Sequence, residues 1–130
     1  MIVDSSALFA IISRESEYES FVDALIDADD LAISSATLLE VRIVAQRSGL
    51  QNAENQVLAL IDDYAIQIVP FSASQQHIAA DAHRRYGRGT GHPARLNYGD
   101  CFAYALAKER GEALLYKGKD FSETDIISAL

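Results

Sequence analysis

An α/β fold built on a mostly parallel sheet is predicted by three observations. The apolar runs around Ile2-Val3, Leu31-Ala32-Ile33, Ile66 to Val69 and Ala113 to Tyr116 are too short for anything but strands. They alternate with longer stretches of helical periodicity, the pattern of a parallel sheet covered on both faces. An acid, Asp4, stands directly after the first run, and open α/β sheets place their ligands at strand carboxyl ends.

Each element follows from local chemistry. After the first strand, Ala7 to about Ser13 reads as a short helix. Ser16-x-x-Glu19 has the form of a capping box, and Phe21, Val22, Leu25 and Ile26 then recur at helical spacing. Leu31–Ile33 is the second strand. Ser34 and Ser35 offer an N-cap for a helix running to about Ser48, stopped by Gly49. A further helix covers about Gln51 to Tyr64, with Val57, Leu58, Leu60 and Ile61 as its apolar side. Ile66–Val69 is the third strand, closed by Pro70. Ser72-x-x-Gln75 caps a helix ending near Tyr86, and three glycines and a proline make residues 87–95 a loop. Asn97 to about Arg110 is a helix apolar nearly all round, ended by Gly111; such a helix is central and turns its N-terminus toward a cleft. Ala113–Tyr116 is the fourth strand, and Ile126-Ile127 is a candidate fifth.

The chain of 130 residues is long enough for one domain, 1–130, with a sizeable core. Its hydrophobic content of 49% argues against disorder. No apolar run reaches the roughly 18–20 residues of a membrane span, and the N-terminus has no signal-peptide pattern. The one cysteine, Cys101, excludes an internal disulfide and a multi-cysteine zinc site, in keeping with a cytoplasmic location. The formal charge of −8 is unfavourable for sequence-independent nucleic-acid binding, so any nucleic-acid site needs a local basic patch. Arg84, Arg85, Arg88 and Arg95, with His92, form such a segment, which leads directly into the Asn97 helix. His77 and His83 are six apart, off a common helical face, and with His92 read as structural or solvent-facing.

Four acids fall in unusual places. Asp4 follows a buried strand, where it also serves as an N-cap. Glu40 shares its helix face with Ala36, Thr37, Ile43 and Val44, a costly position unless it is paired, with Arg42 or Arg47, or metal-bound. Asp100 lies in the first turn of the Asn97 helix, where the helix dipole favours an acid. Asp120 lies in the loop after the fourth strand, where a turn acid is ordinary. Each has a bland explanation. Jointly they point to one rim of the sheet, and oxygen-only donors suit Mg2+ or Mn2+.

These positions carry a resemblance to a known family. Met1 to Leu8 at the start, Glu40 within Ala36 to Val41, Asn97 and Asp100 within Leu96 to Ala105, and Leu114 to Phe121 followed by Thr124-Asp125-Ile126 occur in the order of the PIN-domain ribonucleases. The likeness spans the chain and is closest to the VapC-type toxins of type II toxin–antitoxin pairs. It implies a PIN-like three-layer fold with four to five strands and a metal-dependent endoribonuclease cutting RNA phosphodiesters. Asp4 and Asp100 would ligate Mg2+ or Mn2+, while Glu40 and Asp120 would complete the acidic pocket. Ser6 and Asn97 would hold the carboxylates, and the arginine segment would contact RNA. A homodimer and a cognate antitoxin are the implied partners. The fourth acid varies in this family, so the role of Asp120 is the least fixed.

Other readings stay open from residues alone. A solitary RNA-processing PIN nuclease has the same pattern. A phosphoacceptor domain also has an acid after its first strand, but here two serines follow Asp4 and no aspartate closes the third strand. An acidic cleft that only binds a partner's arginine is the remaining alternative.

Overall fold

The computed structural model describes the whole chain, Met1–Leu130. Four strands form one sheet: β1 (Ile2–Val3), β2 (Ala32–Ser34), β3 (Gln67–Val69) and β4 (Leu114–Leu115). Their order is β3-β2-β1-β4 and every pairing is parallel. Six helices connect them: α1 (Ser5–Ile12), α2 (Tyr18–Asp27), α3 (Ser35–Arg47), α4 (Ala53–Asp63), α5 (Ala73–Tyr86) and α6 (Asp100–Arg110).

Period-two alternation divides the strands between two cores. Val3, Ile33 and Leu115 point into one, with Leu8, Phe21, Leu25, Val41, Val57 and Ile61 from α1–α4. Ile2, Ala32 and Leu114 point into the other, with Ala82, Tyr86, Tyr104 and Leu106 from α5 and α6. The result is three layers, helix–sheet–helix, as the continuously apolar strands require. No helix is long and apolar enough to cross a membrane.

The strand order locates the ligand edge. The chain runs outward from β1 through β2 to β3, then returns to place β4 on the other side of β1. The connections reverse between β1 and β4, and a crevice opens at the carboxyl ends of strands at such a switch point. Asp4 follows β1 and residues 116–120 follow β4, so both stand at this reversal.

Three expectations differ in detail. The Ser16/Glu19 capping box does not form: Ser16 Oγ donates to Glu17, and α2 begins at Tyr18 without a side-chain cap. Ile126-Ile127 is no strand. The segment instead joins β4 through one bridge at Ser128, with the Leu114 amide donating to the Ile127 carbonyl at 2.9 Å. Ile43 and Val44 on α3 are exposed at 41% and 40%, because the core face of that helix is Leu38, Val41 and Ala45.

The closing Thr124-Asp125-Ile126 block has a structural reason. Thr124 Oγ1 donates to the Phe121 carbonyl and accepts from the Ile126 amide, making a turn. Asp125 accepts from the buried Tyr104 hydroxyl at 2.6 Å and from Lys108 at 3.1 Å, with Arg85 of α5 at 3.6 Å. These bonds hold the Asp125 carboxyl below its usual range against the opposing effect of its partial burial. One carboxylate thus ties the C-terminal segment to α5 and α6. Because the group is part-exposed, Asp125→Ala is expected to cost about 1–2 kcal/mol in chemical denaturation. That cost should be full above the ordinary carboxylate range and shrink as pH falls through the lower folded-state pKa of Asp125, where its charge disappears.

Candidate active site

Asp4 is the best-buried of the four acids, with 3% of its surface exposed. Its backbone is the N-cap of α1, and its Oδ2 accepts from the Ser6 amide at 3.0 Å and the Ser6 hydroxyl at 2.5 Å. Its Oδ1 is buried with no hydrogen-bond partner. Capping therefore occupies one oxygen of the carboxylate and leaves the other without a partner. Ser6 Oγ in turn accepts from the Lys117 amide at 2.9 Å, so the hydroxyl is held by the β4 loop while it holds Asp4.

Asn97 and Asp100 close a capping box at the head of α6. The Asp100 amide donates to Asn97 Oδ1 at 2.9 Å, and the Asn97 amide donates to Asp100 Oδ2 at 2.7 Å. The reciprocal pair fixes the Asp100 side chain and starts the helical turn before residue 100. Most of α6 beyond that turn is buried, with Cys101 and Ala103 to Ala107 all in the core. Cys101 donates its thiol to the Asn97 carbonyl and takes no other part.

Glu40 reaches the same place from α3. It makes no pair with Arg42, whose guanidinium is bound to Glu54, and instead accepts from Ser5 Oγ at 3.3 Å. Its carboxylate also lies against Gly99. Asp120 is exposed in the β4 loop. That loop is held to the α1–α2 connection by Lys117, which pairs with Glu15 and, at 3.3 Å, with Glu17.

The electrostatics bind these positions into one cluster. Burial raises the Asp4 carboxyl, and the charge of Asp120 adds to it. Burial and then the charge of Asp4 raise Glu40. Asp100 is pushed up to about 7, by burial first and then by the charges of Asp4, Asp120 and Glu40. Asp4, Glu40 and Asp100 therefore each feel at least one other acid of the group, and the charge of Asp120 acts on Asp4 and Asp100 at the β1/β4 switch point. Three further residues, Ser5, Gly99 and Lys117, belong to the site without standing out in the sequence. A serine, a glycine and a lysine in loops are ordinary residues and carry little signal.

The donor set fits a hard cation: it is all oxygen, and the buried Asp4 Oδ1 lacks any protein donor. The carboxylates do not form a closed cage, because no three His, Cys, Asp or Glu side chains converge on one point.

The arginine segment lies apart from this cluster in its contacts. Arg84 pairs with Asp81 at 2.7 Å. Arg85 contacts Asp81 and Asp125 and stacks over Tyr86 at 4.6 Å. Arg88 donates to the Arg95 carbonyl at 3.3 Å, leaving the Arg95 side chain exposed. His92 is structural, packed edge-on against Tyr86. His77 and His83 are exposed.

Clustered charge has a sign-definite consequence. The unfolded chain releases the Asp100 proton near its ordinary 3.8, whereas the folded chain keeps it to about 7. The native state therefore binds more protons between these values, and its stability falls as pH rises through them. Asp100→Asn retains the capping acceptor but removes the charge. In excess chelator at pH 8 it is expected to melt roughly 5 °C or more above the wild type, with the gap closing toward pH 4. Equal melting temperatures at pH 8 would contradict the electrostatic account.

Comparison with known proteins agrees with the fold. The PIN domain family profile matches residues 1–127. The chain is 45% identical over 126 residues to VapC ribonuclease Mb2780c of Mycobacterium bovis, covering 97% of this chain and 96% of that protein. It is 41% identical over 130 residues to ribonuclease VapC28 of Mycobacterium tuberculosis, covering 100% and 98%. Its fold resembles the crystal structure of Mycobacterium tuberculosis VapC20, a Sarcin-Ricin loop cleaving toxin, with a TM-score of 0.77, 16% identity and coverage of 97% and 95%. A toxin-antitoxin complex from Klebsiella pneumoniae gives a TM-score of 0.73 at 17% identity, with coverage of 99% and 97%. The chain belongs to the PIN domain family, in its branch of VapC ribonucleases.

Proposed function

We propose that residues 1–130 act as one domain, a divalent-metal-dependent endoribonuclease serving as the toxin of a type II toxin–antitoxin pair. The observation that carries this reading is the group of four acids at the β1/β4 switch point, three of which raise the carboxyl of the fourth, Asp100, with the unpartnered Asp4 Oδ1 among them. An uncompensated buried carboxylate is costly, and a cation offsets that cost. Likeness to proteins named VapC ribonucleases supports RNA as the polymer.

In this reading Asp4 and Asp100 hold Mg2+ or Mn2+, and Glu40 and Asp120 complete the pocket by orienting water. When bound, the ion supplies the positive charge that activates a water and offsets charge developing on the phosphodiester oxygens. The chain's own work is positioning. Ser6 fixes Asp4, Ser5 bonds Glu40 and Asn97 fixes Asp100, so the carboxylates meet substrate already oriented. Cleavage of an RNA substrate is expected with Mg2+ or Mn2+ and to vanish in excess chelator. Asp4→Asn should lower the rate at least about 100-fold while leaving the fold intact by circular dichroism. Full activity in excess chelator would sink the metal reading. A wild-type chain that binds RNA tightly but never cuts it would favour the acidic-cleft binding module.

The exposed Arg84, Arg88 and Arg95 are the side chains of the basic segment available to phosphates, whereas Arg85 also supports the Asp125 anchor. Joint replacement of Arg84, Arg88 and Arg95 by Ala should weaken RNA binding and reduce its salt slope by about 1 for each phosphate no longer neutralised. Mn2+ affinity should not change. An unaltered salt slope would remove this segment from the RNA path.

A homodimer, a cognate antitoxin and a cytoplasmic location belong to the same reading. Leu39, Ile43, Val44 and Tyr98 form an exposed apolar surface flanking Glu40, and a cavity of about 520 Å³ opens between α3 and the head of α6. An apolar surface of this kind beside a functional cleft supports a protein partner. Sedimentation of the isolated chain is the direct test of the dimer.

A further inference from the structure

Gly99 occupies a position where its backbone does not require glycine. Its φ of −64° and ψ of −43° are helical, and it sits between the two members of the Asn97–Asp100 capping box. Alanine is the better residue in such a conformation. Five other glycines have positive φ and nothing near the place a side chain would fill, so their reason is conformational. Gly99 has the opposite profile. A Cβ there would overlap the carboxylate of Glu40, meeting all three of its terminal atoms within 2.8 Å.

We propose that Gly99 is a positioning residue for Glu40, its missing side chain leaving the space in which that carboxylate stands beside Asp100. The inference rests on the metal-dependent nuclease reading for its functional consequence. The contact involves the far end of a flexible side chain, so an added methyl is cheap for the fold. What it displaces is the acid itself. Glu40 is held there by a single hydroxyl, Ser5 Oγ at 3.3 Å, and makes no ion pair that would oppose its swinging away. Helix stability and acid placement are thus in conflict at residue 99.

The test is a double-mutant cycle of Gly99→Ala and Glu40→Ala, read in two ways. The first is melting temperature in excess chelator. Gly99→Ala is expected to raise it by about 3–5 °C where Glu40 has been removed, and by less where Glu40 is present. The second is Mn2+ affinity, by calorimetry or by the Mn2+ resonance signal. Gly99→Ala should weaken it about 10-fold in the wild-type background and leave it unchanged in the Glu40→Ala background. A residue of merely structural importance would lower the melting temperature in both backgrounds. An equal melting shift in both backgrounds, or an unaltered Mn2+ affinity of Gly99→Ala itself, overturns the proposal. Absence of Mn2+ binding by the wild type strikes the nuclease reading instead, and the melting cycle then decides the coupling alone.

Discussion

A carboxylate buried at the end of the central strand is the constraint around which the rest of this structure is arranged. Asp4 can neither be solvated nor be neutralised by a nearby cationic side chain. Its Oδ2 is satisfied by the first turn of α1, which supplies an amide, a hydroxyl and the favourable end of a helix dipole. Its Oδ1 is satisfied by nothing in the chain. Ser6 must keep its rotamer for the first oxygen to stay bonded, and that hydroxyl is fixed by the Lys117 amide from the β4 loop. The β4 loop is in turn tied to the α1–α2 connection by the pairing of Lys117 with Glu15 and Glu17. A chain of contacts thus runs from the orphan oxygen to two surface loops.

The other acids make that constraint worse for the fold alone. Burial and mutual repulsion raise Asp4, Glu40 and Asp100 together, at a cost to the stability of the fold above the ordinary carboxylate range. Polar supports offset part of the cost. Each of these three carboxylates has its own neutral donor, Ser6, Ser5 or Asn97, and none has an ion pair of its own within the cluster. Neutral donors orient a carboxylate without cancelling its charge, so the pocket keeps its attraction for a cation. The Lys117 ammonium, on the β4 loop whose amide holds Ser6, is turned instead toward Glu15 and Glu17.

The architecture is legible in the sequence because it depends on local signals that tertiary structure has no reason to override. Short apolar runs can be buried on both faces only in a parallel sheet, and Ser34 and Ser72 cap their helices as their side chains dictate. The departures have equally definite causes. Ser16 is adjacent to Glu17, and the nearer partner takes its hydroxyl from the capping role. The stripe around Glu40 misleads because Ile43 and Val44 are apolar yet exposed while Thr37 is buried, and periodicity cannot tell a core face from an exposed apolar one. The Ile126-Ile127 segment runs beside β4 but forms one bridge, since the Thr124 turn and the Asp125 anchor set its course.

By itself the sequence determined which residues could hold charge at element ends: Asp4 after β1, Asp100 in the first turn of α6 and Asp120 after β4. Strand-end and helix-start positions are written in spacing and composition, so their acids stand out one at a time. Whether those acids meet was decided only by tertiary structure. The reversal of strand order between β1 and β4 put Asp4 and the Asp120 loop at one crevice, and the close approach of α3 to α6 brought Glu40 against Gly99. The supports Ser5, Gly99 and Lys117 act across 35, 59 and 111 residues of chain, counting from Ser5 to Glu40, from Glu40 to Gly99 and from Ser6 to Lys117. Contacts of that range depend on through-space packing, and no local pattern encodes them.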